Sequence, residues 1–137
     1  MRLDEIAWAY PALEALHVVG IALLFGALLV FELRVWGLGA ALDLRGLARL
    51  TLPLALIGFA LCAVTGLSMF AGQAEELLAN RAFRLKLLLI ALAGVNAAWL
   101  HARGGLARIG RLTRLQCLLS LGFWSAVIIC GRWIAYV

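Results

Sequence analysis

His17 lies inside a long apolar run, with Glu14 one helical turn before it and Gly20 one turn after it. An ionisable side chain at that depth faces protein or water and not lipid, and marks a functional site. Four further residues fall in the same half of the chain's apolar segments once these are laid antiparallel: Met69, Lys86, Cys130 and Arg132. Imidazole with a thioether or a thiolate is a soft ligand set suited to copper or to haem iron. On that reading His17, Met69 and Cys130 are the candidate metal ligands. Arg84, Lys86 and Arg132 then stand ready to pair with propionates or with Glu14. The competing reading is a His17–Glu14 or Lys86–Glu14 hydrogen bond that only fixes packing.

The elements that position these residues are apolar helices. Of 137 residues, 66% are hydrophobic and 14% are charged, and the mean hydropathy is +1.05. A water-soluble domain carries about 45–50% apolar and about 25% charged residues, so an ordinary globular protein is excluded. Two prolines and no long polar tract leave no room for a linker or a second domain. The expectation is one all-α domain over residues 1–137, an integral membrane four-helix bundle. Its spans fall at about 9–36, 50–71, 84–101 and 115–136, each near the ~20 apolar residues that cross a bilayer core. The third is the run from Arg84 to His101, in which a lysine, an asparagine and a histidine interrupt almost continuous apolar sequence. Residues 38–49 and 73–82 read as connections, and Pro53 reads as a residue near the start of the second helix, where its missing N–H costs little.

The net charge of +5 does not point to nucleic acid, because the basic residues sit at the ends of apolar runs. There they set orientation and meet anionic lipid. Arg2 with Asp4 and Glu5 is the wrong balance for the basic leader of a signal peptide, so the first helix is expected to be retained. Four crossings put both termini on one side. Opposite them lie Arg34, Arg45, Arg49, Arg103, Arg108, Arg111 and Arg114; with them lie Arg2, Arg81, Arg84, Lys86 and Arg132, diluted by Asp4, Glu5, Glu14, Glu75 and Glu76. The positive-inside bias therefore places the arginine-rich loops in the cytoplasm and both termini in the periplasm. Arg108, Arg111 and Arg114 share one face if that stretch is helical, a contact surface for anionic lipid. Trp133 and Tyr136 read as interfacial aromatics.

Gly58, Cys62, Thr65, Met69 and Gly72 share one face of the second helix, and Lys86, Ile90, Ala93 and Ala97 one face of the third. Small and weakly polar stripes of this kind line a bundle interior. Asn96 reads as an interhelical hydrogen-bonder. Cys62, Cys117 and Cys130 are odd in number and lie in or beside apolar runs, which argues against a disulfide framework. His101 ends a helix parallel to the one that bears His17, so about a membrane thickness separates the two at 1.5 Å per residue and they cannot share an iron. It reads as interfacial. Glu32 and Arg34 point in different directions, toward a helix end or a neighbouring chain. No phosphate loop, nucleophile elbow or zinc-protease spacing is present.

The order His17-Val18-Val19-Gly20, Thr65-Gly66, Phe83-Arg84-Leu85-Lys86 with Asn96 beyond, and Gly131-Arg132-Trp133-Ile134-Ala135-Tyr136 resembles a family of uncharacterised four-helix bacterial inner-membrane proteins. The resemblance spans nearly the whole chain and implies a fold rather than a chemistry. The helix-one histidine and the lysine opening helix three are also similar to HemJ-type protoporphyrinogen oxidase, which implies haem at His17 and a role for Lys86. The first helix here ends Glu32-Leu33-Arg34, without that family's Leu-Pro-Arg segment. The lysine-to-asparagine stretch further resembles the membrane domain of copper resistance protein D. The expected function is thus a small protein holding haem b or copper in the extracytoplasmic half of the bundle. The alternatives are a non-catalytic accessory subunit of a larger membrane complex and, for a homo-oligomer, passage of a small solute.

Overall fold

A computed structural model of the chain describes residues 8–134. Arg2, Asp4, Glu5, Ala135 and Tyr136 lie outside the described residues, as does the expected end of the last helix at 136. Four long helices and one short one make up the fold: α1 (Ala9–Val35), α2 (Leu44–Gly72), α3 (Ala74–Ala79), α4 (Arg81–Ala102) and α5 (Arg111–Trp133). There is no strand among the described residues. The protein is an all-α four-helix bundle, and α1, α2, α4 and α5 are each long and apolar enough to cross a membrane.

Two antiparallel hairpins, α1–α2 and α4–α5, are joined mainly by α1 packing on α5. Their outward faces carry large apolar side chains such as Leu56, Leu67, Val95 and Ile129, each more than half exposed, as a lipid-facing surface requires. The buried clusters are small. Phe31, Val35 and Cys117 form one, with Leu44, Ala48, Leu52, Leu106 and Ile109 packed against it. Phe59 and Trp124 meet edge to face at 6.1 Å, and Phe70 stacks on Phe83 at 5.6 Å, so α2 touches both α5 and α4 through aromatic rings.

Several boundaries differ from the expectation, each for a local reason. The Asp43 carboxylate accepts from Gly46 N–H at 3.2 Å and caps α2, so the helix starts at Leu44 and absorbs Arg45, Gly46 and Arg49 into its first turns. Pro53 consequently lies well inside α2, where it deprives the Arg49 carbonyl of its helical donor. The connector after α2 contains α3, opened by Glu75 and Glu76 in its first turn. Asn80 then caps α4, accepting from Ala82 N–H and Phe83 N–H, while its amide donates to the Ile134 carbonyl and ties the start of α4 to the end of α5. The last helix starts at Arg111 rather than 115, leaving Arg108 outside it. Gly37 and Gly104 adopt positive φ just past α1 and α4. Each closes its helix with paired backbone bonds, Gly37 N–H to Arg34 and Leu38 N–H to Leu33 in one case, Gly104 N–H to His101 and Gly105 N–H to Leu100 in the other.

A polar knot locks the α4–α5 hairpin. Thr113 and Gln116 are essentially fully buried, at 0% and 1% exposure. The Arg103 guanidinium donates to Gln116 Oε1 at 2.9 Å and to Thr113 Oγ1 at 2.9 Å, and Asn96 Nδ2 donates to the Gln116 carbonyl at 2.8 Å. Arg103 is thereby an inter-helix latch and not merely one of the basic residues facing lipid. Arg103→Ala strands a buried amide oxygen, which costs about 1–3 kcal/mol. The expected result is a lower melting temperature in detergent than that of Arg111→Ala, which removes an exposed arginine of the same region; equal melting of the two would show that the knot contributes nothing.

Candidate functional site

The structure brings His17, Lys86 and Cys130 to one level of the bundle and adds three residues of α2. His17 is half-buried on α1. Its Nδ1 lies 2.9 Å from Thr65 Oγ1, and the Thr65 hydroxyl lies 2.7 Å from the Leu61 carbonyl. A hydroxyl has a single hydrogen, and the helical carbonyl can only accept. With Thr65 donating to Leu61, the arrangement that satisfies both contacts has His17 Nδ1–H donating to Thr65, the tautomer whose Nε2 carries the lone pair. Gly66 flanks the imidazole without a side chain; a methyl there would lie 3.5 Å from His17 Cε1. The Cys62 thiol reaches the His17 carbonyl at 3.6 Å.

Close helix approach makes this geometry possible. A Cβ at Gly20 would meet Cys62 Sγ at 2.8 Å, and one at Gly58 would meet the Leu24 nitrogen at 2.5 Å and the Gly20 carbonyl oxygen at 2.7 Å. The stripe of Gly58, Cys62 and Thr65 does face α1, while Gly72 at its end is exposed with nothing nearby. On α4 the buried face is Ala82, Ala93, Asn96 and Leu100, with Lys86 and Ile90 partly covered; Ala97 falls outside it and is exposed.

Lys86 enters from α4. Its ammonium lies within electrostatic range of His17, Cys62 and Cys130, and a Cβ on Gly131 would sit 3.6 Å from its Nζ. The α5 backbone at Gly131 thus lies beside the ammonium. Among the described residues no carboxylate pairs with Lys86, and its ammonium donates no hydrogen bond. Glu14, the partner considered from the sequence, is exposed. Cys130 is buried at 8% exposure. Met69 is half-buried one turn beyond Thr65 on the same face of α2. Arg84 and Arg132 are exposed at the same end, and no hydrogen bond or ion pair joins them to His17 or Lys86. His101 is exposed in the last turn of α4, and the fifteen residues from Lys86 make about 22 Å of helix between it and the His17 level.

Among the described residues the arrangement offers one imidazole, one ammonium without a carboxylate partner, and thiols that are all unbridged. Among the described residues no three of His, Cys, Asp or Glu gather closely enough to hold a metal ion. Thr65 and Cys62 were legible beforehand only as members of a small-residue stripe. Their contacts with His17 depend on the separation of α1 and α2, which no spacing in the sequence states.

Fold and site together define a multi-pass membrane bundle with a polar cluster around His17 and Lys86 between its helices. Scans against models of known families, against curated proteins and against solved structures each found no match.

Proposed function

We propose that the chain is a small membrane protein that binds haem b through His17 Nε2, with Lys86 beside a haem carboxylate. The 2.9 Å contact between His17 Nδ1 and the Thr65 hydroxyl is the observation that carries this reading. Metal-binding histidines donate their other ring N–H to an oxygen that fixes the ring, and Thr65 plays that part here. The Lys86 ammonium, which has no carboxylate partner among the described residues, asks for an anion, which a propionate supplies. Haem brings four of its own nitrogens and needs a single axial protein ligand, so it suits this site better than copper. Copper would rest on His17 with a sulfur from Met69 or Cys130. A bound haem supplies one-electron redox chemistry. We place the protein in a bacterial inner membrane with its termini in the periplasm. The support is the arginines at the α1–α2 and α4–α5 turns, where anionic lipid of the inner leaflet would meet them.

Protein purified from haem-sufficient cells is expected to show a Soret band and a reduced-minus-oxidised difference spectrum, both lost in His17→Ala. No Soret band in the purified wild type, and no uptake of added hemin, would end the haem reading. A second reading is favoured by the two contacts His17 makes with α2 through Thr65 and Cys62: the residue is then a clasp in an accessory subunit of a larger membrane complex. Under that reading His17→Ala lowers the melting temperature and the wild type carries no cofactor.

A further inference from the structure

A further polar feature lies at the opposite end of the bundle from His17. Glu32, one turn from the end of α1, is 4% exposed, and its Oε2 is buried with no hydrogen-bond partner. The Ser120 hydroxyl of α5 is its polar neighbour, and the Cys117 thiol lies one turn away on the same helix. Phe31, Val35, Leu44, Ala48, Leu52, Leu106 and Ile109 fill that end with apolar side chains. Cys117 is the titratable group that α5 presents to Glu32; the α2 side chains of this cluster are apolar. The nearby cations are engaged elsewhere or exposed. Arg34 Nε donates to the Leu42 carbonyl at 2.8 Å, Arg103 is held by Gln116 and Thr113, and Arg45, Arg49 and Arg108 are exposed.

An isolated carboxylate transferred from water to such surroundings is strongly disfavoured, and the group neutralises itself instead. Neutralisation takes a proton, and a proton needs a route. Thr113, Gln116 and Ser120 recur every three to four residues, so they form one file on α5, about 10 Å long at 1.5 Å per residue. The file begins at Arg103 on the surface. Its middle member, Gln116, has its Nε2 buried and without a partner, a free donor in the same file that leads to the free acceptor of Glu32.

We propose that Glu32 is a proton-binding site: a neutral carboxylic acid within the bundle, loaded and unloaded along the Thr113–Gln116–Ser120 file from the arginine-rich surface. The site is independent of any cofactor at His17, about 22 Å away along α1. A membrane carboxylic acid of this kind reacts with dicyclohexylcarbodiimide. The acid proton passes to one carbodiimide nitrogen, the carboxylate oxygen adds to the central carbon, and the acyl group then shifts to nitrogen as an N-acylurea, with nothing lost.

The test uses the full chain in lipid nanodiscs, treated with the carbodiimide and mapped by mass spectrometry. Expected is one adduct at Glu32, absent in Glu32→Gln, and none at Glu14, which is exposed on the same helix and serves as the control. Above the titration point the rate falls about tenfold for each unit of pH. An unlabelled Glu32 in the wild type, or labelling indifferent to pH, overturns the proposal. Protection by sodium at constant pH overturns it in favour of a metal-cation site.

Discussion

Gly58→Ala is expected to pry α1 from α2 and to lower stability by about 3 kcal/mol, the upper end of what overpacking one methyl costs. The added Cβ would lie 2.5 Å from the Leu24 nitrogen, 2.7 Å from the Gly20 carbonyl oxygen and 2.9 Å from Leu23 Cβ. Two of these are backbone atoms of α1, so no rotamer change relieves the clash and the whole helix must move. Thr65 lies about 10 Å further along α2, and a shift of even a few tenths of an ångström stretches its 2.9 Å bond to His17. Gly26→Ala is the matched control: it is also in α1, with nothing within 4 Å of its Cβ, and alanine gains roughly 0.8–1.0 kcal/mol of helix propensity over glycine. Thermal unfolding followed by circular dichroism in one detergent compares the pair. The two variants should move in opposite directions. A Gly58→Ala protein that melts with the wild type would mean the helices are not in the tight contact described.

The long helices and the level of His17 were legible because both depend on period and length alone. Four apolar runs of membrane length fix four crossings, and counting antiparallel rises sets His17 opposite Lys86 and Cys130 without any knowledge of packing. Asn96 was legible for a related reason, since an amide at that depth must find a partner on another helix. The start of α1 at Ala9 was legible too, but those of α2, α4 and α5 were not, because the residues just before a helix outweigh composition there. Asp43 lets α2 take in a glycine and two arginines that read as loop, and Gly110 lets α5 start at Arg111.

The burial of Glu32 was out of reach for a different reason. It depends on how far α5 slides along α1, which decides whether Ser120 and Cys117 or lipid faces the carboxyl. Arg103 shows the same limit. Its charge reads as surface, yet the register of α4 on α5 turns it inward onto Gln116 and Thr113.

Lys86→Met separates a binding site from a packing device by the sign of its effect. Met is close to lysine in length and fills the same path beside Gly131 without the charge. If the ammonium were a structural element, its loss would lower stability. It has no carboxylate partner and no hydrogen bond among the described residues, so what it contributes to the ligand-free bundle is a desolvation cost. Insertion scales put a lysine at mid-membrane at about 2.5–3.5 kcal/mol, less toward the interface. The expected outcome is therefore a ligand-free variant that melts higher than the wild type, by an amount equivalent to about 1 kcal/mol for a residue one to two turns inside its helix. Anion binding moves the other way. Losing a charge-assisted contact of roughly 1.5–3 kcal/mol weakens hemin binding by about one to two decades, since each 1.4 kcal/mol is tenfold. Both readouts come from one preparation: a melt without ligand and a hemin titration followed at the Soret band. Residues retained for ligand at the expense of the empty fold carry this pair of opposite signs. A variant that melts lower and binds hemin as the wild type does would place Lys86 among the groups that only hold α4 to α5.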